Sequence, residues 1–205
     1  MRGIALTLVA FAIVATLLAW SRRLARRRAA ALGHLALATV CAMLAAGLFH
    51  ASAALDGFQP LVTDRPLAEL RFDAVGDGRY TAMLLRLPEG RVQVFGLPGD
   101  RWRMTVRTLA WSPGATRLGL APSARLYMLE SAAGDRVLRS YRLDGSGRPD
   151  AWASAAAGGT WALATTASAV DSGWQPMTDR GEYRLRIAAG RLVADAVPDG
   201  ATLAR

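Results

Sequence analysis

Among residues 56–205, carboxylates and arginines are the side chains whose types and spacing suggest chemistry. Asp73 and Asp77 flank one glycine-containing turn, and Asp144 and Asp150 flank another. Paired acids can hydrolyse glycosides, and carboxylate oxygens can bind calcium. Neither stretch has the ligand spacing of a calcium loop that ends in glutamate, and aspartate beside glycine is common in turns. We therefore predict that these aspartates form turns, with a carboxylate-based envelope hydrolase as the alternative.

Three arginines on one predicted strand form a candidate anionic-ligand face. Arg101, Arg103 and Arg107 occupy odd positions of a segment whose even positions from 102 to 106 are apolar. A period of two places the arginines on one face of a strand and the apolar side chains on the other. Such a face could meet anionic headgroups or an acidic partner. We favour the interpretation that this is a solvated face whose arginines pair with nearby acids, with the anionic-ligand face as the alternative.

The residue types that are missing exclude several mechanisms. Residues 56–205 contain no histidine and no cysteine, which excludes zinc sites built from these ligands and Ser-His-Asp or Cys-His nucleophiles there. The chain contains no lysine, which excludes Schiff bases and the lysine of a phosphate-binding loop. We predict that the protein is not an enzyme and that it has no catalytic residue, cofactor or metal.

The formal net charge of +9 is concentrated near the N-terminus. Residues 1–55 hold six arginines and no acid, whereas residues 56–205 hold 19 arginines and all 16 acids. The second part therefore has the charge balance of an ordinary domain surface, and we predict no nucleic-acid partner.

Residues 67–197 are predicted to fold as a β-rich domain. Short amphipathic strands alternate with turns about every ten residues, which favours an antiparallel sandwich or partly open barrel with one or two short helices. One hairpin turns at residues 88–90, where Met83 and Leu85 share a face that Val92 and Val94 continue on the return strand. A second hairpin turns at residues 188–190, and another strand is predicted from residue 101 towards Trp111.

Other segments of this domain are less regular. Residues 117–120 and 124–129 are predicted to form short strands. Residues 137–143 fit either a strand or a helix face, and residues 151–168 are predicted to contain one short helix that begins near Pro149. A linker at residues 56–66 precedes the domain, and a polar tail at residues 198–205 follows it.

Residues 1–55 are predicted to form a two-helix transmembrane hairpin. Gly3–Trp20 and Ala29–Ala54 are apolar, and about 18 such residues can cross a hydrocarbon core of about 30 Å. The loop at residues 21–28 carries the topology signal, which consists of Arg22, Arg23, Arg26, Arg27 and Arg28. Positively charged loops stay in the cytoplasm, which predicts two periplasmic termini. A cleaved signal peptide and the reverse orientation are the alternatives.

Two segments of the β domain carry a family resemblance. They are Gly99–Trp102 with Arg107–Trp111 and Gly119–Leu120, and Val170–Met177 with Asp179, Glu182–Tyr183 and Leu185. The segments are similar to those of small bacterial membrane proteins that have two N-terminal spans and a β-rich outer domain. These proteins are often labelled multidrug or cation efflux proteins. Because two spans without an intramembrane acid lack the coupling-ion site of transporters, the resemblance implies an accessory role.

These features together predict a bacterial inner-membrane protein that presents a periplasmic β domain for binding or scaffolding. Its predicted partners are the lipid bilayer and an envelope or transporter protein. The alternatives are an accessory subunit of an efflux or envelope-maintenance complex and a lipid-binding module.

Overall fold

The structure is a computed structural model that describes residues 2–24, 28–62, 65–117, 119–145 and 150–197. Near the N-terminus, side chains are described from residue 6 to residue 21 and again from residue 30. The predicted tail at residues 198–205 lies outside the described residues. The chain divides into two compact units, an N-terminal helical unit and a β domain that begins at Gly57.

Two helices form the N-terminal unit and pack side by side. Helix α1 is Arg2–Leu24 and helix α2 is Arg28–Ala54. Alanines are buried between them, namely Ala15, Ala19, Ala38 and Ala45. Small side chains let two helix backbones approach closely, while the large apolar side chains of both helices point outward.

One of these two helices is long and apolar enough to cross a membrane. In the described part of the chain, Ala30–Ala54 meets this requirement with 25 residues, whereas the apolar run of α1 covers only Leu6–Ser21. That run is about 24 Å long at about 1.5 Å per residue, which is shorter than a hydrocarbon core of about 30 Å. The fold therefore supports one span, and the second predicted span is not supported.

The predicted arginine loop is shorter than residues 21–28. Helix α1 continues through Arg22 and Arg23, and α2 begins at Arg28. Arginine is a good helix former, so it extends the helices where the hydropathy pattern alone predicts a loop. Arg26 and Arg27 lie outside the described residues.

The described part of the β domain contains eleven strands and three short helices. The strands are β1 Gln59–Pro60, β2 Ala68–Gly76, β3 Arg79–Arg86, β4 Arg91–Pro98, β5 Arg101–Trp111, β6 Ser123–Ala133, β7 Arg136–Arg142, β8 Thr165–Asp171, β9 Gln175–Pro176, β10 Glu182–Ala188 and β11 Arg191–Val197. The helices are α3 Pro113–Arg117, α4 Ala151–Ala156 and a 3₁₀ helix at Thr160–Leu163.

The strands form two antiparallel sheets that do not close into a barrel. In sheet A the order is β1-β6-β5-β8, with β7 also paired to β6 and β9 to β5. In sheet B the order is β11-β10-β2-β3-β4. This confirms the predicted antiparallel β domain and its two hairpins, β3–β4 and β10–β11.

The core lies between the two sheets and is built around one tryptophan. Trp102 is fully buried on β5, and its ring centroid lies 5.5 Å from that of Phe72 and 5.0 Å from that of Tyr183. Met104 and Val106 are also fully buried, as the alternation in this segment predicts. Burying one such side chain contributes about 1.5–3 kcal/mol, so this alternation anchors sheet A to sheet B.

A bulge in β6 changes which of its residues face the core. The pairing with β5 steps from Thr105–Met128 to Val106–Leu126, so it skips Tyr127. Leu126 before the bulge and Leu129 after it both belong to the core. The inward positions of β6 are therefore even before Tyr127 and odd after it.

Three segments of the β domain differ from the prediction, and a fourth settles an alternative that the prediction left open. Residues 113–117 form α3, and the predicted strand at residues 117–120 is wrong, because a serine followed by a proline starts a helix here. Residues 136–142 form a strand, which settles the ambiguity of that segment. The short helix predicted within residues 151–168 is α4, whereas strand β8 is not predicted from the sequence. The predicted linker contains the short strand β1.

Candidate functional site

The predicted arginine face lies on the outer face of sheet A, but its three members differ in exposure. Arg101 is exposed, Arg103 is half-buried and Arg107 is buried. Strand β5 presents all three on the side opposite the Trp102 core, as an alternating strand must. The anionic-ligand role of this face stays a prediction, since Arg103 and Arg107 each contact a carboxylate of the β domain.

Arg103 is held by a carboxylate and by an aromatic ring. Its Nε and one terminal nitrogen donate hydrogen bonds to Glu130 Oε2 at 3.0 and 2.7 Å. The guanidinium carbon lies 4.5 Å from the centroid of the Trp174 ring. Ser140 Oγ donates a hydrogen bond to the other oxygen of Glu130 at 3.4 Å. These contacts link three strands and the loop before β9.

Arg107 lies between two aromatic rings and beside a buried aspartate. Its guanidinium carbon is 3.6 Å from the ring centroid of Tyr127 and 4.1 Å from that of Trp152. One of its terminal nitrogens donates a hydrogen bond to Asp144 Oδ2 at 3.2 Å. The Trp152 indole N–H donates to the Ser168 carbonyl oxygen at 2.9 Å, which fixes that ring against β8.

Asp144 is the centre of a cluster that we call the Asp144 cluster, formed by Asp144, Arg107, Arg125 and Arg142. Terminal or ε nitrogens of the three arginines lie 3.2, 3.6 and 3.4 Å from its carboxylate oxygens, in the order Arg107, Arg125 and Arg142. The Asp144 side chain is only 2% exposed, whereas that of Arg142 is 56% exposed. The Arg125 guanidinium carbon also lies 4.4 Å from the Phe58 ring centroid.

Arg86 brings a further guanidinium towards the loop that carries Asp144. It donates hydrogen bonds to the Leu143 carbonyl oxygen at 2.7 Å and to Gln93 Oε1 at 2.9 Å. Burial lowers the pKa of Arg86 below its usual value, because the charged form loses hydration. The two hydrogen bonds offset part of this cost and tie the end of β7 to sheet B.

The chemistry available to the Asp144 cluster is electrostatic. Guanidinium groups do not lose their proton at physiological pH, so they cannot serve as general bases. The Asp144 carboxylate is the structural counter-charge that the three guanidinium groups share. The arrangement therefore locks the loop after β7 onto sheet A and does not resemble an acid–base pair.

The two aspartates of the first predicted pair lie in different elements. Asp73 lies on β2, where its carboxylate is 3.5 Å from Arg71 Nε. Asp77 lies in the turn between β2 and β3, as predicted. Residues 146–149, which separate Asp144 from Asp150, are outside the described residues. Within the described ranges, no group of three or more histidine, cysteine, aspartate or glutamate side chains could hold a metal ion.

The outer face of sheet B carries a feature that was not assigned from sequence. Met83, Val92 and Val94 are 37%, 56% and 61% exposed, and Leu85 is half-buried. Met83 is paired with Val94 and Leu85 with Val92, so the four side chains form one square on β3 and β4. We call this square the apolar half of sheet B. Three of its members, Met83, Leu85 and Val92, line part of a groove of about 190 Å³.

A sequence signal for this apolar half existed. Residues 83–85 are consecutively apolar, and Ala82 and Leu84 are the members of β3 that face the core. A strand with one buried face needs apolar residues only at every second position. The extra apolar positions therefore indicate that a second face of β3 is available for contact.

The helical unit has a larger apolar groove of about 780 Å³ between α1 and α2. It is lined by side chains from Leu6 to Leu17 and from Ala42 to Ala53, and His50 is the one ionisable group among them. The side chains of the topology arginines lie outside the described ones.

Comparison of the chain with protein-family models, with curated proteins and with solved structures found no match. The resemblance to efflux-labelled membrane proteins therefore stays a prediction.

Proposed function

We propose that this chain is a membrane-anchored, non-enzymatic protein whose β domain is a binding or scaffolding module. The observation that carries this proposal is the apolar half of sheet B. Contiguous apolar side chains on the outer face of a domain are a feature of sites of protein–protein contact. The polar clusters on the same domain consist of ion pairs, which supports a binding role over a catalytic one.

Anchoring is supported by helix α2, whose apolar run Ala30–Ala54 is long enough to cross a membrane and lies directly before the β domain. Helix α2 ends at Ala54 and β1 begins at Gln59. A helix with these properties near an N-terminus also suits a signal sequence. The arginines at positions 22, 23 and 26–28 precede the apolar run of α2, as in a signal peptide. Retention as an anchor is favoured because that run has 25 residues, whereas the apolar region of a signal peptide has about 7–15.

Orientation follows from the same arginines. With these positive residues held in the cytoplasm, α2 crosses outward from its arginine-flanked end, and the β domain lies in the periplasm of an inner membrane.

Membrane fractionation combined with a topology reporter tests this proposal. The full chain is expressed with a reporter that is active only in the periplasm fused after Arg205, and a cytoplasm-active reporter is fused in parallel. We expect an uncleaved chain that stays in the membrane after alkaline extraction, with only the periplasmic reporter active. A shortened chain in the soluble periplasmic fraction would identify the helices as a signal sequence and overturn the anchor.

A charge variant provides the matched control for orientation. Replacing the five arginines at positions 22, 23, 26, 27 and 28 by glutamine removes the positive loop while keeping side-chain length. We expect the periplasmic signal to fall and a cytoplasmic signal to appear. An unchanged signal would mean that the arginines do not set the orientation.

A further inference from the structure

We infer that the apolar half of sheet B is a contact surface between two copies of this chain. This inference deepens the proposed binding role and rests on it. The occupant of the surface is then a second β domain that presents the same four side chains, Met83, Leu85, Val92 and Val94.

The arrangement of these side chains suits a two-fold contact. They occupy two neighbouring positions on each of two adjacent strands, and cross-strand neighbours on one face lie about 5 Å apart. All four corners of the square are apolar, so the square does not favour one orientation of the partner over another. An isologous contact requires a surface that is complementary to itself, and a flat apolar square meets that requirement.

The rest of the outer face of sheet B has a charge pattern that permits self-association. Strands β2, β10 and β11 carry cross-strand ion pairs there, namely Arg184–Glu69 at 3.2 Å, Arg71–Glu182 at 3.4 Å and Arg186–Asp195 at 2.6 Å. Both signs alternate within this region, so it has no field of one sign that would repel an identical copy. Recognition of a different partner by its charge would instead require a face on which positive or negative residues dominate.

Anchoring in a membrane gives a second reason to expect identical copies to meet. All copies have the same orientation in the bilayer, which is compatible with a two-fold axis along the membrane normal. Four side chains cover less area than the roughly 800 Å² per partner of a stable interface. Confinement to one membrane raises the effective concentration of the surfaces, so the contact is expected to form there and to weaken in detergent.

Cysteine crosslinking of the full chain in native membranes tests this inference. Cys41, the single cysteine of the chain, is first replaced by serine. Met83, Leu85, Val92 and Val94 are then each replaced by cysteine and treated with a short, membrane-permeant bismaleimide. Val137→Cys on β7 of sheet A, where Val137 is 45% exposed, is the matched control. We expect a crosslinked species of twice the chain mass, at least fivefold more abundant for Val92 or Val94 than for Val137.

A charge substitution provides the second arm. Val94→Arg, at a position 61% exposed, places like charges on both copies without disturbing the core. We expect it to reduce the Val92→Cys crosslink at least fivefold, while the circular dichroism of the purified chain stays unchanged. Persistence of the crosslink at full yield would overturn the two-copy contact.

The outcomes separate this inference from the proposed function. If all four positions crosslink no better than Val137, or crosslink only to a protein of a different mass, the two-copy contact is wrong. A different-mass product would leave the binding role standing. Fractionation of the same samples reports anchoring independently, since a chain that is not retained in the membrane would overturn the anchor whatever the crosslinks show.

Discussion

Arg107 and Asp144 form a buried ion pair across 37 residues of sequence, with 3.2 Å between a guanidinium nitrogen and a carboxylate oxygen. The two side chains are 10% and 2% exposed. The pair connects β5 to the end of β7 and is enclosed by the rings of Tyr127 and Trp152. It is therefore the clearest electrostatic link between distant parts of the β domain.

Removing the carboxylate should destabilise the β domain strongly. Asp144→Asn leaves buried arginines beside a neutral amide, and breaking a buried pair in this way costs about 3–5 kcal/mol. Urea unfolding of the full chain in detergent, followed by tryptophan fluorescence, measures the loss. Asp73→Asn is the control, because its carboxylate is 41% exposed and such surface pairs contribute about 0–1 kcal/mol. Equal losses for both variants would contradict a structural role for Asp144.

The two aromatic rings around Arg107 should discriminate arginine from lysine. Arg107→Lys keeps the positive charge but loses the planar group that stacks between Tyr127 and Trp152. A desolvated cation–π contact contributes about 2 kcal/mol, so we expect a loss of that size in the free energy of unfolding. A double-mutant cycle with Trp152→Leu should give a coupling of about 1 kcal/mol or more. No coupling would show that the ring and the guanidinium act independently.

The connection between the two sheets depends on a glycine. Gly99 has φ +111°, and a Cβ built on it would lie 2.2 Å from the Ala132 carbonyl oxygen. Gly99→Ala should therefore cost about 3 kcal/mol or more, since strained backbone and a steric clash combine. Gly96→Ala on β4 is the control, because no atom lies within 4 Å of a Cβ built there. We expect its midpoint in thermal unfolding to stay the same or rise.

Truncation of two neighbouring residues on β3 should change the free energy of unfolding by very different amounts. Leu84 is fully buried and Met83 is 37% exposed. Leu84→Ala should cost about 2–5 kcal/mol through lost burial and a residual cavity. Met83→Ala should change the stability of the detergent-solubilised chain by about 0.5 kcal/mol or less. The reverse order of losses in urea unfolding would mean that the core lies on the other face of sheet B.

The sequence predicted the elements whose pattern is local. Strand β5 alternates regularly, so the buried Trp102 and the outward arginines follow from period alone. The hairpin β10–β11 is likewise marked by alternation and a turn with a glycine. Strand β8 has no such pattern, because it is rich in small residues and owes its conformation to pairing with β5.

The partners of the outward side chains could not be predicted in this way. Period two places Arg107 on the outer face but does not indicate that Asp144 and Trp152 cover it there. Those contacts depend on how the loop after β7 returns across sheet A, which is a long-range property of the fold. For the same reason, the alternation in β3 predicts that Met83 and Leu85 share a face but does not predict which face it is. Only the packing of the two sheets shows that it is the outer one.

The skipped residue Tyr127 in β6 has a consequence for how this chain can change over evolutionary time. Insertions and deletions within a strand normally exchange its two faces on one side of the event. Because β6 already contains one such step, losing a single residue at Tyr127 would give β6 one uninterrupted alternation. Arg125 and Glu130 would then be four residues apart and would both stay on the outer face. Lineages of this protein are therefore expected to tolerate loss of the residue at position 127, which removes the step and keeps both faces of β6, better than loss of a residue from a regular stretch of the strand.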